Sequence, residues 1–307
     1  MDKLIEKIEL MKNPTVVGLD PTLGIVPSFL KEQYLAKDMI PTENDYSLAV
    51  AKMFFDFNKQ IIDNIYDIVP AIKPQIAMYE QFGTNGISAY INTCHYAKIK
   101  GMIVIGDIKR GDIASTAESY ASHIKGTVIN GKEFDFWKED FVTVNPYLGV
   151  DGIQPFIDAC NEKDKGIFIL TKTSNPSSAD LQDLLVDGEP LYYKTACLVS
   201  KWGELAMGKK GYSKVGAVVG ATYPEQGVEL RNRMPHTFFL VPGYGAQGAT
   251  GKDLKGFFDQ HGGGCIVNSS RGIIAAYKND KECSEKDFAA AARKAAIAMK
   301  KDLEQRF

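Results

Sequence analysis

The sequence predicts an α/β protein: a single (β/α)₈ barrel with elaborated loops, one domain over residues 1–307. Three observations lead there. Eight short apolar runs recur along the chain without polar alternation, the pattern of strands buried on both faces of a parallel sheet. Helical periods separate them. No low-complexity tract or linker-like stretch divides the chain. Doubly wound sheets usually carry five or six such strands, so a count of eight favours closure into a barrel.

The elements follow in order. Residues 15–20 form the first strand, which ends in Asp20 before Pro21. Residues 45–68 carry a long helical period with Leu48, Met53, Phe54, Phe57, Ile61 and Ile65 apolar. Residues 69–73 are the second strand, ending in Lys73. Residues 86–100 read as a helix capped by Ser88 or its neighbour and closed by Gly101. The third strand is 102–105, and a helix follows at 113–125. The fourth strand is 141–145, with a helix at 153–162. The fifth is 166–170, followed by a polar loop over 171–178 and a helical stretch at 190–207. The sixth is 215–219, with a helix at 223–234. The seventh is 237–241, with a glycine-rich turn and a short helix at 254–261. The eighth is 264–268, and an alanine-rich helix closes the chain at 284–304. Segments 21–44, 126–140 and 174–189 are expected to be loop elaborations. The first and third follow a strand's carboxyl end, where barrel enzymes build their sites.

Composition narrows the function classes. The chain is 45% apolar and 24% charged, with a net charge of −2. That gives no general attraction to nucleic acid or anionic membrane. No apolar run has the length of a membrane span, and the charged amphipathic start is unlike a signal peptide. Five cysteines stand singly, with no Cys-x-x-Cys pair, which suggests reduced thiols in a cytoplasmic protein. Four histidines lack metal-ligand spacing, so no metal site is expected.

The chemistry concentrates at the strand ends. Asp107, Lys109 and Asp112 follow the third strand. Two residues apart on a strand, Asp107 and Lys109 share a face. Opposite charges at a buried strand end are expensive to desolvate, and the fold alone does not call for them. In a barrel, Asp20, Lys73, Asp107 and Lys109 converge on one mouth and are expected to hold one another ionised through hydrogen bonds. Taken alone, Asp-x-Lys-x-x-Asp is a weak pattern, and a solvated ion pair would produce it too. On the other side of the mouth, Pro242, Gly243, Gly245 and Gly248 lie in the turn after strand seven, and Arg271 follows strand eight. Glycine amides and a planar guanidinium there suit a phosphate, at the two loops where this fold usually binds one.

Gly-Asp-Ile-Lys-Arg-Gly-Asp-Ile-Ala-Ser-Thr at 106–116 resembles the Asp-x-Lys-x-x-Asp-Ile-x-x-Thr signature of orotidine 5′-phosphate decarboxylases. Leu-Asp-Pro, Ile-Lys-Pro-Gln, Thr-Ser-Asn, Pro-Gly-Tyr-Gly-Ala-Gln and Asn-Ser-Ser-Arg-Gly extend the match, in order, after strands one, two, five, seven and eight. Length and long loops resemble the larger subfamily found in some bacteria and protozoa. The resemblance implies that Lys109 protonates C6 of the pyrimidine as carbon dioxide leaves, with Asp107 beside the substrate carboxylate. It implies that Lys73 and Asp20 hold the ribose hydroxyls, and that Asp112, Ile113 and Thr116 enter the partner's site in a homodimer. Thr173 or Ser174 would meet the pyrimidine edge. Gln247 and Arg271, with Pro242, Gly243 and Gly245 around them, would hold the phosphate. Gln75 is a further ribose or phosphate neighbour. No flavin, pyridoxal or thiamine motif is visible, so no cofactor is expected.

Two rival classes exist. Metal-dependent sugar-phosphate decarboxylases and aldolases of the same superfamily share Asp-x-Lys-x-x-Asp but carry an extra acid where Lys73 stands. A catalytically dead binding barrel would have no need for the intact set of five charged residues.

Overall fold

Eight parallel strands close into a barrel in the computed structural model, which describes residues 1–36, 42–245, 248–280 and 283–304. They are β1 (Thr15–Leu19), β2 (Ala71–Pro74), β3 (Ile103–Arg110), β4 (Phe141–Val144), β5 (Gly166–Lys172), β6 (Val215–Val219), β7 (Phe239–Pro242) and β8 (Cys265–Ser269). Each strand lies beside its neighbours in sequence, and β8 returns to β1 with Thr15 opposite Val267. Every residue of β1, β2, β4, β6 and β8 is buried, which explains the continuous apolar runs.

Strand side chains divide into two sets. Val16, Ala71, Ile105, Phe168, Leu240 and Ile266 belong to the cluster that fills the barrel, and Leu4 of the first helix, Asp2–Met11, joins it with Met1, the residue before that helix. The outward set packs under the helices. Gly216 makes room for the barrel's aromatic layer: a Cβ there would stand 2.6 Å from the Phe168 ring.

The expected strands and main helices are present, with shifts that have physical causes. β3 runs through the charged stretch instead of ending before it, because it pairs with β4 on both sides of a bulge, Gly106 with Val142 and Arg110 with Val144. β5 likewise extends to Lys172. Helix Gly83–Ile99 starts earlier than Ser88, without a side-chain cap, and Gly101 follows it at φ +73°. Only a 3₁₀ turn, Lys255–Phe257, forms within 254–261. All three elaborations contain regular structure. The first holds helix Ser28–Tyr34, the second a hairpin of Thr127–Ile129 with Lys132–Phe134. The third holds helix Ala179–Gln182 and a hairpin of Leu185–Val186 with Glu189–Pro190. Among the described residues, no helix is long and apolar enough to cross a membrane.

Candidate active site

The charged residues of β2 and β3 meet at the carboxyl end of the barrel. Lys73 Nζ donates to Asp107 Oδ2 at 2.6 Å, and Lys109 Nζ to Asp107 Oδ1 at 2.5 Å. Lys73 and Asp107 are only 5% and 6% exposed, so water does little to screen this pair. Burial alone pushes the Asp107 carboxyl up, but the ammonium groups of Lys73 and Lys109 outweigh it and hold it well below the usual carboxylate range. Burial opposes the charge on Lys73, yet Asp107 and then Asp20 prevail and raise its pKa.

Lys109 reaches Asp107 by a route that strand alternation does not describe. It lies in the bulge of β3 at φ +45°, a left-handed conformation uncommon for a side-chain-bearing residue. Thr143 of β4 fixes that turn, accepting from Lys109 N at 2.9 Å and donating to Asp107 Oδ1 at 2.9 Å. Strain of this kind persists where the surroundings over-determine it. The Lys109 side chain is 44% exposed, its head turned to a cavity of about 240 Å³ lined also by Thr143, Thr173, Ser174, Leu240 and Pro242.

Behind β3 stands a second polar group that sequence reading missed. Glu139 is fully buried, receives the Tyr90 hydroxyl and pairs with His123 Nδ1 at 2.7 Å. Its Oε1 occupies the place of a side chain on Gly106, the residue before Asp107. Thr143, too, went unnoticed. Its one signal was a polar residue in an apolar strand.

Asp20 departs from the expected hydrogen-bonded chain of four charges. It acts on Lys73 through space, and its buried Oδ1 has no hydrogen-bond partner among the described residues. The reason is position: it lines a neighbouring cavity of about 290 Å³ with Arg271, Gly243, Tyr244 and Asn268, and Pro242 borders both cavities. Arg271 opens the short helix Arg271–Ile274 and makes no ion pair among the described residues. Gly243, Gly245 and Gly248 all have positive φ, as the turn requires. The amides of Gly245 and Gly248 are not free for an anion, however. They donate to Ala249 O and Gly245 O at 2.9 Å, so the turn consumes them. Gln247 lies outside the described residues.

Thr173 and Ser174 both line the cavity at Lys109. The Thr173 hydroxyl donates to Asn175 Oδ1 at 2.6 Å and accepts from Gln182 Nε2 at 2.7 Å. Gln75 bridges backbone to backbone with Asp107. Asp112, Ile113 and Thr116 are not brought into either cavity. Asp112 accepts from Ile113 N at 2.8 Å, and Ile113, half exposed, borders a separate groove with Glu118 and Asp151. Among the described residues, no group of three or more His, Cys, Asp and Glu side chains could hold a metal ion.

Known proteins are similar to this chain in sequence and in fold. A curated relative from Petrotoga mobilis, named orotidine 5′-phosphate decarboxylase, is 44% identical over 307 residues, covering 99% of this chain and 98% of the relative. One of the same name from Caldicellulosiruptor bescii is 43% identical over 279 residues, covering 91% and 90%. The solved structure of Leishmania donovani OMP decarboxylase superposes with a TM-score of 0.73 at 29% identity, over 99% of this chain and 97% of that one. The sequence model described as Orotidine 5′-phosphate decarboxylase / HUMPS family matches residues 41–286. With that match and relatives this similar along nearly their whole length, the chain belongs to the orotidine 5′-phosphate decarboxylase / HUMPS family.

Proposed function

We propose that this chain decarboxylates orotidine 5′-phosphate to uridine 5′-phosphate and carbon dioxide, the last step of de novo UMP synthesis, as a one-domain cytoplasmic enzyme without metal or cofactor. The observation that carries the reading is the buried Lys73–Asp107–Lys109 array facing one cavity, with an arginine-lined cavity beside it.

In this reading the phosphate sits at Arg271, with Gln247 and the turn at Pro242, Gly243 and Gly245 around it. Asp20 and Lys73 take the ribose hydroxyls; the unpartnered Asp20 Oδ1 suits a hydroxyl donor. Ser174 or Thr173 meets the pyrimidine edge. The bond from C6 to the carboxylate then breaks, its electron pair stays on C6, and carbon dioxide departs. The resulting vinyl carbanion has no attached electron sink, so preorganised charge must lower the barrier. Lys109 supplies it: its ammonium faces the growing negative charge and then transfers a proton to C6. Asp107 keeps Lys109 charged and aimed. Its carboxylate beside that of the substrate also adds ground-state repulsion.

The family also includes HUMPS, so the substrate needs a direct test. Lys73 at the end of β2, paired with Asp107, favours the nucleotide reading, because the metal-dependent sugar-phosphate enzymes place an acid there. On adding the protein with excess chelator present, the long-wavelength ultraviolet absorbance of orotidine 5′-phosphate should fall as uridine 5′-phosphate forms. Activity on a sugar phosphate alone, dependent on a divalent cation, would overturn the proposal.

Asp112, Ile113 and Thr116 line neither the Lys109 cavity nor the Arg271 cavity of their own chain. This supports a homodimer in which they complete the neighbour's site. Mixed Lys109→Ala and Asp112→Ala subunits should then recover up to about half the native activity, since two-fold symmetry leaves one intact site per heterodimer. No recovery despite verified subunit exchange would confine Asp112 to its own chain.

A further inference from the structure

The excursion over 174–189 does more than decorate the barrel. Gln182, last residue of helix Ala179–Gln182, folds back onto Thr173 and grips it twice. Its Oε1 accepts from Thr173 N at 2.9 Å, and its Nε2 donates to Thr173 Oγ1 at 2.7 Å. The next residue grips the preceding position, the last of β5: Asp183 Oδ1 accepts from Lys172 Nζ at 2.5 Å. Lys172 is 2% exposed and boxed by the rings of Tyr192 and Tyr223, at 5.1 and 5.7 Å. A buried ammonium without a carboxylate is costly, so the pair pins Asp183, and Gln182 with it, over the end of β5.

The other side of the loop is fixed as well. Thr222 Oγ1 donates to Ser174 O at 3.2 Å. Gly220 approaches so closely that a Cβ there would stand 2.8 Å from Ser174 N. Thr173 and Ser174 are thus held between the excursion and the end of β6. Both Thr173 hydroxyl bonds are spent on the framework, whereas the Ser174 hydroxyl makes no hydrogen bond among the described residues.

We propose that Gln182 and Asp183 are positioning residues: together they latch Thr173 and so set the Ser174 hydroxyl against the polar edge of the base, which makes the 174–189 excursion a device for base discrimination. This rests on the nucleotide reading above. The latch touches neither the Lys109 array nor the Arg271 cavity. Its loss should therefore appear in ligands that carry a base and not in those that lack one.

The experiment compares calorimetric binding of uridine 5′-phosphate and ribose 5-phosphate to the wild-type protein, Gln182→Ala and Gln182→Glu, with the melting temperature of each. Gln182→Ala removes both grips from a half-buried surface position, so the fold should survive. We expect about a tenfold rise in Kd for uridine 5′-phosphate and in KM for orotidine 5′-phosphate, the loss of roughly one net hydrogen bond's worth of positioning. Kd for ribose 5-phosphate should not move. Gln182→Glu keeps the acceptor for Thr173 N and should fall between the two. Equal weakening of both ligands, or no weakening of either, overturns the latch. A wild-type protein that binds ribose 5-phosphate but not uridine 5′-phosphate defeats the nucleotide reading itself, a separate outcome.

Discussion

The two ends of the barrel each bury a cation, and they satisfy it differently. At the amino end, Arg231 is 7% exposed and donates to four carbonyls, those of Phe257, Met234, Thr237 and Gly264, at 2.8–3.0 Å, with the Phe239 ring 3.7 Å beneath it. At the carboxyl end, Lys73 is as deeply buried but meets a carboxylate, which it shares with a second lysine. Fixed carbonyl dipoles occupy the donors of the guanidinium and stabilise its charge, leaving it nothing further to do. Two ammonium groups around one carboxylate form a set whose members depend on one another, and one of them, Lys109, points outward to a cavity. Burial depth alone therefore does not mark a functional charge. A shared carboxylate with one of its cations open to a cavity does.

The comparison breaks or sharpens under substitution. Lys109→Ala should lower kcat by several orders of magnitude, beyond the ~10²–10⁴ of general acid catalysis, because proton donor and facing charge go together. Melting should barely change, since the side chain is nearly half exposed. Near-native kcat in steady-state assays would remove Lys109 from the chemistry.

Arg231→Met is the opposite case. Stranding buried carbonyls costs about 1–3 kcal/mol each before relaxation, so a net loss on the order of 3 kcal/mol is expected in denaturant unfolding. Activity per folded molecule should be unchanged. Should kcat fall with the fold intact, the amino end is not merely structural.

Arg271→Ala should raise the Kd of uridine 5′-phosphate by roughly thirty-fold, the order of a charge-assisted bond, and leave uridine almost unaffected. Equal weakening of both in titration calorimetry would move the anion site elsewhere.

Thr143→Val tests the support of the left-handed turn at Lys109. It removes a bond to Asp107 and one from the Lys109 amide, and should lower kcat by about tenfold with KM little changed.

The smallest expected effect is on pH. With its carboxyl held well below the usual range, Asp107 stays ionised, and its stabilising contribution remains intact above the ordinary carboxylate pKa of about 4. That contribution is lost only as pH falls through the depressed value. The kcat profile should show no acid limb from this group above about pH 4; a limb that Asp107→Asn abolished would contradict the pairing.

Much of this was legible because burial leaves a compositional trace. Strands such as Val215–Val219 are apolar throughout and could hardly be missed. The charged strand ends were read as site residues for the converse reason, that nothing structural explained them. What escaped depends on geometry without a local signature. Lys172 looked like a loop residue, because a buried lysine is recognisable only once Asp183, eleven positions on, folds back over it. Glu139 and His123 carry no motif and meet only in three dimensions. The amides of Gly245 and Gly248 read as free donors until the internal bonds of the turn were seen.

The closure of β8 on β1 sets a timetable for synthesis. Asp20 and Arg271 border one cavity yet are about 250 residues apart, a span that takes on the order of tens of seconds to translate. Until β8 is made, β1 can have at most β2 on one side and keeps an open edge on the other, the kind of edge that invites pairing with a foreign strand. The cavity that Asp20 and Arg271 share cannot exist on any nascent chain that lacks β8. A nucleotide can therefore stabilise the finished barrel but cannot guide its assembly, and the growing chain must protect its own open edge until its last strand arrives.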